Sequence, residues 1–233
     1  PESYEKIAKF IVDECSDLAQ ILPVNYDNFS TKEKGRVTRA AAMALKSRVT
    51  LYMASPLFSE DSEDKWKQAA EAAYDIIKQK TDLGLDLVPY PQIFNDVNNQ
   101  KAEVILYRPT GESGDFEKAN FPIGVEGGKT STCPTQNLME AYDMKVDPVE
   151  IWEGGTNGLP LQNATTTGYY LKKYVNNTIS FEAGSTVTKK QHNWVLFRYG
   201  EILLNYAEAM INAFHDPNYK DAVYNMSARE AVN

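Results

Sequence analysis

The 233-residue sequence contains only two cysteines, Cys15 and Cys133, and two histidines, His192 and His215. Two thiols exclude a disulfide-rich scaffold and are too few for a zinc cluster. Two imidazoles leave little material for histidine-based metal sites or catalytic triads. The sequence also has no run of 18 apolar residues, so it predicts no membrane-spanning helix.

Basic residues are in the minority. The chain has 24 Lys and Arg against 32 Asp and Glu, which gives a net charge of −8. An acidic surface repels phosphate backbones, so we expect no nucleic-acid partner. Hydrophobic residues (42%) and charged residues (24%) are balanced as in a globular domain, and the one excess is aromatic, with 14 Tyr among the aromatic residues.

Apolar residues recur at helical spacing in four segments, which predict helices over residues 3–22, 34–55, 62–80 and 194–214. Ser30 and Glu33 form a capping box in front of the second helix, and Pro56 ends it. Trp66 is followed by alanines at helical spacing, a pattern that resembles half of a tetratricopeptide repeat. We therefore expect Trp66, and likewise Cys15 on the first apolar stripe, to be core residues.

Arg48 lies inside the apolar stripe of the second predicted helix. A buried charge without a partner is very costly, so Arg48 is expected to contact a carboxylate or a carbonyl. We expect both Arg48 and Arg198 to have structural roles.

Residues 83–174 differ in composition from the predicted helices, since proline and glycine are frequent. This composition predicts loops, with short strands over 103–108 and 169–175 and a short helix over 135–142. The fold class is therefore predicted as mainly α, a tetratricopeptide-like helical-repeat scaffold with a large loop-rich insertion that contains short strands. The segments are 1–82 (helical scaffold), 83–192 (irregular excursion) and 193–233 (return to the scaffold, truncated).

The two ends suggest that the chain is a piece of a longer protein. The first residue is Pro1 rather than Met, and no signal segment precedes it. Ser227 and Glu230 form a capping box for a helix that has only three further residues. Because so short a helix cannot repay its nucleation, we expect the natural chain to continue.

Two motifs in the excursion suggest a chemistry. Gly127-Gly128-Lys129-Thr130 ends like a phosphate-binding loop, but Ile123 stands where that loop needs glycine, which favours a surface turn. Trp152 is followed by Glu-Gly-Gly-Thr-Asn-Gly. An aromatic face beside Asn and Thr suits a sugar ring, although loop packing is the alternative. A carboxylate pair of a glycosidase is a further alternative, which spacing alone does not test.

Five segments, taken together and in order, resemble the SusD-like (RagB/SusD) glycan-binding lipoproteins of Bacteroidetes. They are Gly35-Arg36-Val37 continuing through Ala41 to Phe58, Trp66 with its alanines, Pro134-Thr135-Gln136-Asn137-Leu138 with Ala141-Tyr142-Asp143-Met144, Thr167-Gly168-Tyr169-Tyr170, and Phe197-Arg198-Tyr199-Gly200-Glu201 through Ala209. One departure follows Met144, where Lys145-Val146-Asp147-Pro148 replaces a longer stretch of the family. Either this member is shortened there or residues are missing near Asp147–Val149.

The resemblance implies that residues 1–233 are a fragment of a single SusD-like domain. Such a protein is not an enzyme, needs no cofactor and no metal, and binds oligosaccharide or polysaccharide for delivery to a TonB-dependent (SusC-like) transporter. It is a surface-exposed lipoprotein of the outer membrane, and its only membrane attachment is an N-terminal lipid anchor that this chain lacks. The residues expected to contact glycan are Trp152, Asn157, Asn137 and Phe121. A helical-repeat adaptor that binds only protein, and a glycoside hydrolase, are the alternatives.

Overall fold

The computed structural model describes residues 2–26, 35–58, 62–94, 102–141, 165 and 169–233. They divide into two compact units. The first contains the described residues of Pro1–Ile93, Asn99–Pro109 and Trp194–Asn233, and the second those of Phe94–Asn98 and Thr110–Asn193. The predicted fold class is confirmed, since helices dominate and the strands are few and short. The division into segments 1–82, 83–192 and 193–233 stays a prediction.

The first unit begins with three helices, α1 (Tyr4–Ile21), α2 (Arg39–Ala54) and α3 (Glu63–Lys78). The predicted start of α2 at residue 34 is wrong. Thr38 is the N-cap, and its hydroxyl accepts a hydrogen bond from the backbone N–H of Ala41. Residues 35–38, directly before α2, are not helical, and Gly35 has a φ of +85°. The Ser30–Glu33 capping box lies outside the described residues.

The core of the first unit is built around small residues. α2 packs against α1 and α3, and its alanines at positions 40, 41, 42, 44 and 54 are buried. Side chains without bulk let helix axes approach closely. Trp66 and Cys15 are each 4% exposed, which confirms both as core residues.

A two-stranded antiparallel sheet and two more helices complete the first unit. β1 (Val104–Arg108) pairs with β4 (Trp194–Arg198), with Val104 opposite Arg198 and Tyr107 opposite Val195. α6 (Tyr199–Phe214) packs against α3 and α2, and α7 (Ala228–Val232) packs against α6. A short 3₁₀ turn lies at Tyr90–Gln92. The predicted helix from residue 194 is therefore wrong over its first five residues, whose β-branched and aromatic side chains favour a strand once a partner is present. The capping box of Ser227 and Glu230 is confirmed.

The second unit is mostly loop. β2 (Glu112–Ser113) pairs antiparallel with β3 (Lys190–Gln191). Two short helices accompany them, α4 (Asp115–Asn120) and α5 (Gln136–Glu140), the latter N-capped by the hydroxyl of Thr135. The predicted strand over 169–175 is wrong: residues 169–175 form no strand, and Tyr174 has a φ of +66°.

Both arginines in apolar surroundings have the partners that their burial requires. Arg48 donates from Nε to Oε1 of Glu201 (2.6 Å) and from a terminal nitrogen to the carbonyl of Leu196 (2.9 Å). Arg198 contacts Oε1 of the buried Glu103 at 2.8 Å. The expectation that Arg48 contacts a carboxylate or a carbonyl is confirmed, since it contacts both.

Within the described residues, no helix combines the length and the apolar character that crossing a bilayer requires. The same part of the chain contains no group of three or more His, Cys, Asp or Glu side chains placed to hold a metal ion.

Candidate functional site

The second unit has partly exposed aromatic side chains in its loops and in the short helix α4. We use the name loop surface for four of them, Phe94, Phe116, Tyr169 and Tyr170. Each of the four is between fully buried and fully exposed. Loops place such rings at the surface because turns, unlike a helix stripe, impose no single buried face. Partly exposed rings of this kind can contact a ligand through their aromatic faces.

A buried polar contact joins three segments of the second unit. Oε1 of Glu117 lies 2.7 Å from Nε2 of His192 and accepts a hydrogen bond from the backbone N–H of Asn176 (3.0 Å). Glu117 is fully buried and His192 is 6% exposed. One carboxylate thus joins α4 to two segments that are 59 and 75 residues further along the chain.

The stretch after α4 is held by backbone hydrogen bonds. The carbonyl of Phe121 accepts from the N–H of Thr130 (3.1 Å), and the carbonyl of Ala119 accepts from the N–H of Ser131 (2.7 Å). Gly127, with a φ of +80°, lets this loop turn against the ring of Phe181. Gly127 is exposed, in agreement with the surface turn that the sequence predicts, and its backbone lies close to the ring of Phe181.

The four residues predicted to contact glycan fall in different places. Trp152 and Asn157 lie outside the described residues. Asn137 is exposed on α5, where it is the second helical residue. Phe121 is only 5% exposed, and its ring packs edge-to-face against Phe181 with centroids 6.0 Å apart. No hydrogen bond or ring contact of the described residues joins Asn137 to Phe121. Burial leaves Phe121 little ring face for a ligand, whereas Asn137 has its amide in solvent.

One aromatic cluster was missed in the sequence. Phe94 packs edge-to-face on Tyr174 with centroids 5.1 Å apart, and Nζ of Lys173 lies 4.4 Å from the centre of the Phe94 ring. Phe94 and Tyr174 are 80 residues apart, so no local spacing connects them. The only signal was the sequence Lys173-Tyr174 after an aromatic pair. The cluster adds a cation above an aromatic face to the loop surface.

The rings of the loop surface have the chemistry that binding a sugar requires. A half-buried ring offers a flat apolar face to the C–H groups of a sugar, and neighbouring amides and hydroxyls can hydrogen-bond its rim. Glu117 and His192, which form a carboxylate–imidazole pair in the described part of this unit, are shielded from solvent. An acid or base that substrate cannot approach within hydrogen-bond distance does not act on it.

Comparison with known proteins shows which family and which solved structures the chain resembles. The model of the SusD family matches residues 143–232. No curated protein is significantly similar to the chain. Among solved structures, a SusD-like protein from Bacteroides fragilis aligns with a TM-score of 0.66 and 21% identity over 99% of this chain and 52% of its own. A SusD-like carbohydrate-binding protein from the same species aligns with a TM-score of 0.65 and 20% identity over 91% and 47%.

A third similar structure contains a ligand. It is surface glycan-binding protein A from Bacteroides thetaiotaomicron in complex with laminarihexaose, with a TM-score of 0.59 and 18% identity over 92% of this chain and 51% of its own. The chain thus spans about half the length of the solved structures that it matches. The resemblance seen in the sequence motifs is confirmed: residues 143–232 match the model of the SusD family, and the fold is similar to that of a SusD-like structure over 99% of the chain.

Proposed function

We propose that this chain belongs to a non-catalytic protein that binds oligosaccharide or polysaccharide at the cell surface of a member of the Bacteroidetes. The observation that carries the proposal is the SusD-like fold together with a loop unit that presents partly exposed aromatic rings. Two similar structures support the ligand class, since one is a laminarin-binding SusD-like protein and another holds laminarihexaose.

The affinity of such a site follows from the area that aromatic rings can cover. A ring buries ~150–250 Å² when fully covered, and a sugar that covers half of it gains roughly 2–3 kcal/mol at about 25 cal/mol per Å². Millimolar affinity already needs about 4 kcal/mol. A useful site therefore combines two or three rings with hydrogen bonds, which is the composition of the loop surface with Trp152 added.

Within this proposal, Trp152 stacks on a sugar ring, and Asn157 and Asn137 bind its hydroxyls. Phe121 belongs to the proposed set as well, and its packing on Phe181 favours a supporting position behind the contact surface. Weak capture suits a protein whose partner removes the ligand. We accordingly propose delivery to a TonB-dependent, SusC-like transporter, from a lipoprotein attached to the outer membrane by an N-terminal lipid.

The proposal is tested by calorimetric titration of the protein with laminarihexaose and with a panel of other soluble oligosaccharides. We expect saturable binding of at least one glycan and no new reducing ends after prolonged incubation. Trp152→Ala should weaken that binding about tenfold or more, and Trp194→Ala is the matched control because Trp194 lies in the first unit, in β4.

Each alternative has its own outcome. Release of reducing ends would make the protein a hydrolase, and the absence of binding to every glycan would favour a protein-only adaptor. Equal affinity of Trp152→Ala and the unsubstituted chain would refute the site while leaving the function intact. Uptake of a labelled oligosaccharide by cells that carry Trp152→Ala tests the delivery step.

A further inference from the structure

The lysines of the second unit differ from those of the first in what their ammonium groups contact. Seven lysines of the first unit lie within ion-pair distance of a carboxylate, among them Lys6, whose Nζ is 2.8 Å from Glu2. In the described part of the second unit, Lys118 and Lys173 have no carboxylate within that distance. Each of these two ammonium groups lies over an aromatic ring instead. Their positive charge is therefore not neutralised by a described acidic side chain.

Two rings hold the ammonium group of Lys173. Its Nζ is 4.4 Å from the centre of the Phe94 ring and 5.8 Å from the centre of the Tyr174 ring. The two rings pack edge-to-face against each other, with Tyr174 buried and Phe94 partly exposed. Lys173 itself is exposed. A cation whose position is fixed by aromatic rings is thus open to a ligand, and it loses less freedom on binding than a lysine that extends into water.

The backbone that carries Lys173 is held in a conformation that its own residues disfavour. Tyr174 has a φ of +66°, which is rare for a bulky side chain and persists only where the surrounding structure enforces it. Two residues further on, the N–H of Asn176 donates to the buried carboxylate of Glu117. Residues in such conformations are frequent where a protein positions a ligand.

The local charge around this cluster is opposite to that of the whole chain. The net charge of the chain is −8, but residues 169–193 contain four lysines, at positions 172, 173, 189 and 190, and one acidic residue, Glu182. At physiological salt, charges further away than about 8 Å are largely screened. A ligand at this segment is therefore influenced by its lysines more than by the distant acidic residues of the chain.

We infer that the glycan bound by the second unit is anionic, with a carboxylate or a sulfate group on its sugar rings. This inference rests on the proposed function and names the substrate class of the same unit. Lys173 pairs with the anionic group, while partly exposed rings contact the C–H face of the sugar. Lys118, whose Nζ lies 5.1 Å from the centre of the Phe181 ring, provides a second ammonium group of the same construction. A neutral glycan would use the rings and leave both ammonium groups without a partner.

The test is calorimetric titration of the protein with tetragalacturonate and, separately, with a sulfated tetrasaccharide of the carrageenan type. Fully methyl-esterified tetragalacturonate is the matched ligand control, since it has the same sugar rings without the charge. We expect saturable binding of at least one anionic oligosaccharide and weaker binding of the ester. The affinity for the anionic ligand should fall when NaCl is raised from about 50 to about 500 mM, because salt screens the contact with the lysines.

Substitutions of Lys173 locate the contact. Lys173→Gln should weaken binding of the anionic ligand about five- to tenfold, as expected for the loss of one charge-assisted contact. Lys173→Arg keeps a cation that stacks on aromatic rings and should retain most of the affinity. Lys118→Gln should weaken binding in the same direction. Lys9→Gln is the matched control, because it removes the same charge from α1 in the first unit and should leave the affinity unchanged.

The outcomes separate this inference from the proposed function. Binding of tetragalacturonate alone identifies a carboxylate as the recognised group, and binding of the carrageenan tetrasaccharide alone identifies a sulfate. Equal affinity for tetragalacturonate and its ester, or equal affinity of Lys173→Gln and the unsubstituted protein, overturns the inference. Binding of neutral oligosaccharides only also overturns it but leaves the proposed function intact. The absence of binding to every glycan, charged or neutral, refutes the proposed function and the inference together.

Discussion

Replacement of Arg48 by Met should destabilise the first unit without affecting glycan affinity. The guanidinium of Arg48 makes two contacts with Glu201, Nε to Oε1 at 2.6 Å and a terminal nitrogen to Oε2 at 2.7 Å. It also donates to the carbonyl of Leu196 and lies 3.8 Å from the centre of the Phe197 ring. One side chain thus joins α2 to β4 and α6.

The size of the effect follows from how far the pair is from water. Exposed ion pairs contribute about 0–1 kcal/mol, whereas removing one partner of a fully buried pair costs about 3–5 kcal/mol. The side chains of Arg48 and Glu201 are 32% and 26% exposed, which lies between these limits. The contact with Phe197 adds about 0.5–1 kcal/mol, part of which Met retains through packing. We therefore expect Arg48→Met to lower the free energy of unfolding by about 2–3 kcal/mol.

The assay is thermal unfolding followed by circular dichroism, together with calorimetric titration of laminarihexaose. For a chain of this length, about 2–4 °C is lost per kcal/mol, so the melting temperature should fall by roughly 5–10 °C. A double-mutant cycle with Glu201→Gln should return a coupling of about 1–2 kcal/mol. Lys9→Met is the control: it removes an exposed pair with Asp13 and should change stability by less than about 0.5 kcal/mol.

Two results would refute this reasoning. A melting temperature for Arg48→Met within 1 °C of the control would mean that the bidentate pair contributes nothing. Unchanged stability with a loss of glycan affinity would mean that Arg48 serves the ligand rather than the scaffold.

Three further predictions concern packing, titration and capping. Gly114→Ala should destabilise the second unit by about 2 kcal/mol or more in chemical unfolding, because its Cβ would overlap the carbonyl of Thr188, whereas Gly124→Ala meets open space and should be neutral. Burial raises the pKa of Tyr206, so the folded chain disfavours its ionised form. The stability that this group contributes is complete below about pH 10 and declines above it. Melting temperatures from pH 9 to 11 should therefore fall less steeply in Tyr206→Phe than in the exposed control Tyr52→Phe. Ser227→Ala removes the reciprocal capping box of α7 and should cost about 1 kcal/mol by urea unfolding; an unchanged midpoint would contradict it.

Two helices of the first unit could be predicted closely because their signals are local. α1 and α3 lie within two residues of the predicted bounds, since apolar spacing and caps depend on neighbours along the chain. The strand Trp194–Arg198 was missed for the opposite reason. Its partner is Val104–Arg108, about 90 residues earlier, and its apolar residues continue the pattern of α6 without a break.

The exposure of the aromatic rings in the second unit could not be predicted from local sequence either. The burial of Phe121 comes from Phe181, 60 residues further on, and that of His192 from Glu117, so exposure in this unit is a long-range property. No periodic pattern in the sequence predicts which of these side chains are exposed. Sequence alone could therefore propose an aromatic loop and could not say which of its rings faces solvent.

Arg48 and Phe121 together show what makes a single residue predictable. A charge in an apolar stripe admits few outcomes, because leaving it unpaired is too costly, and the required partner was found in Glu201. An aromatic ring in a loop is stable either packed or exposed, and the difference of roughly 2–3 kcal/mol is decided by which neighbours the fold provides.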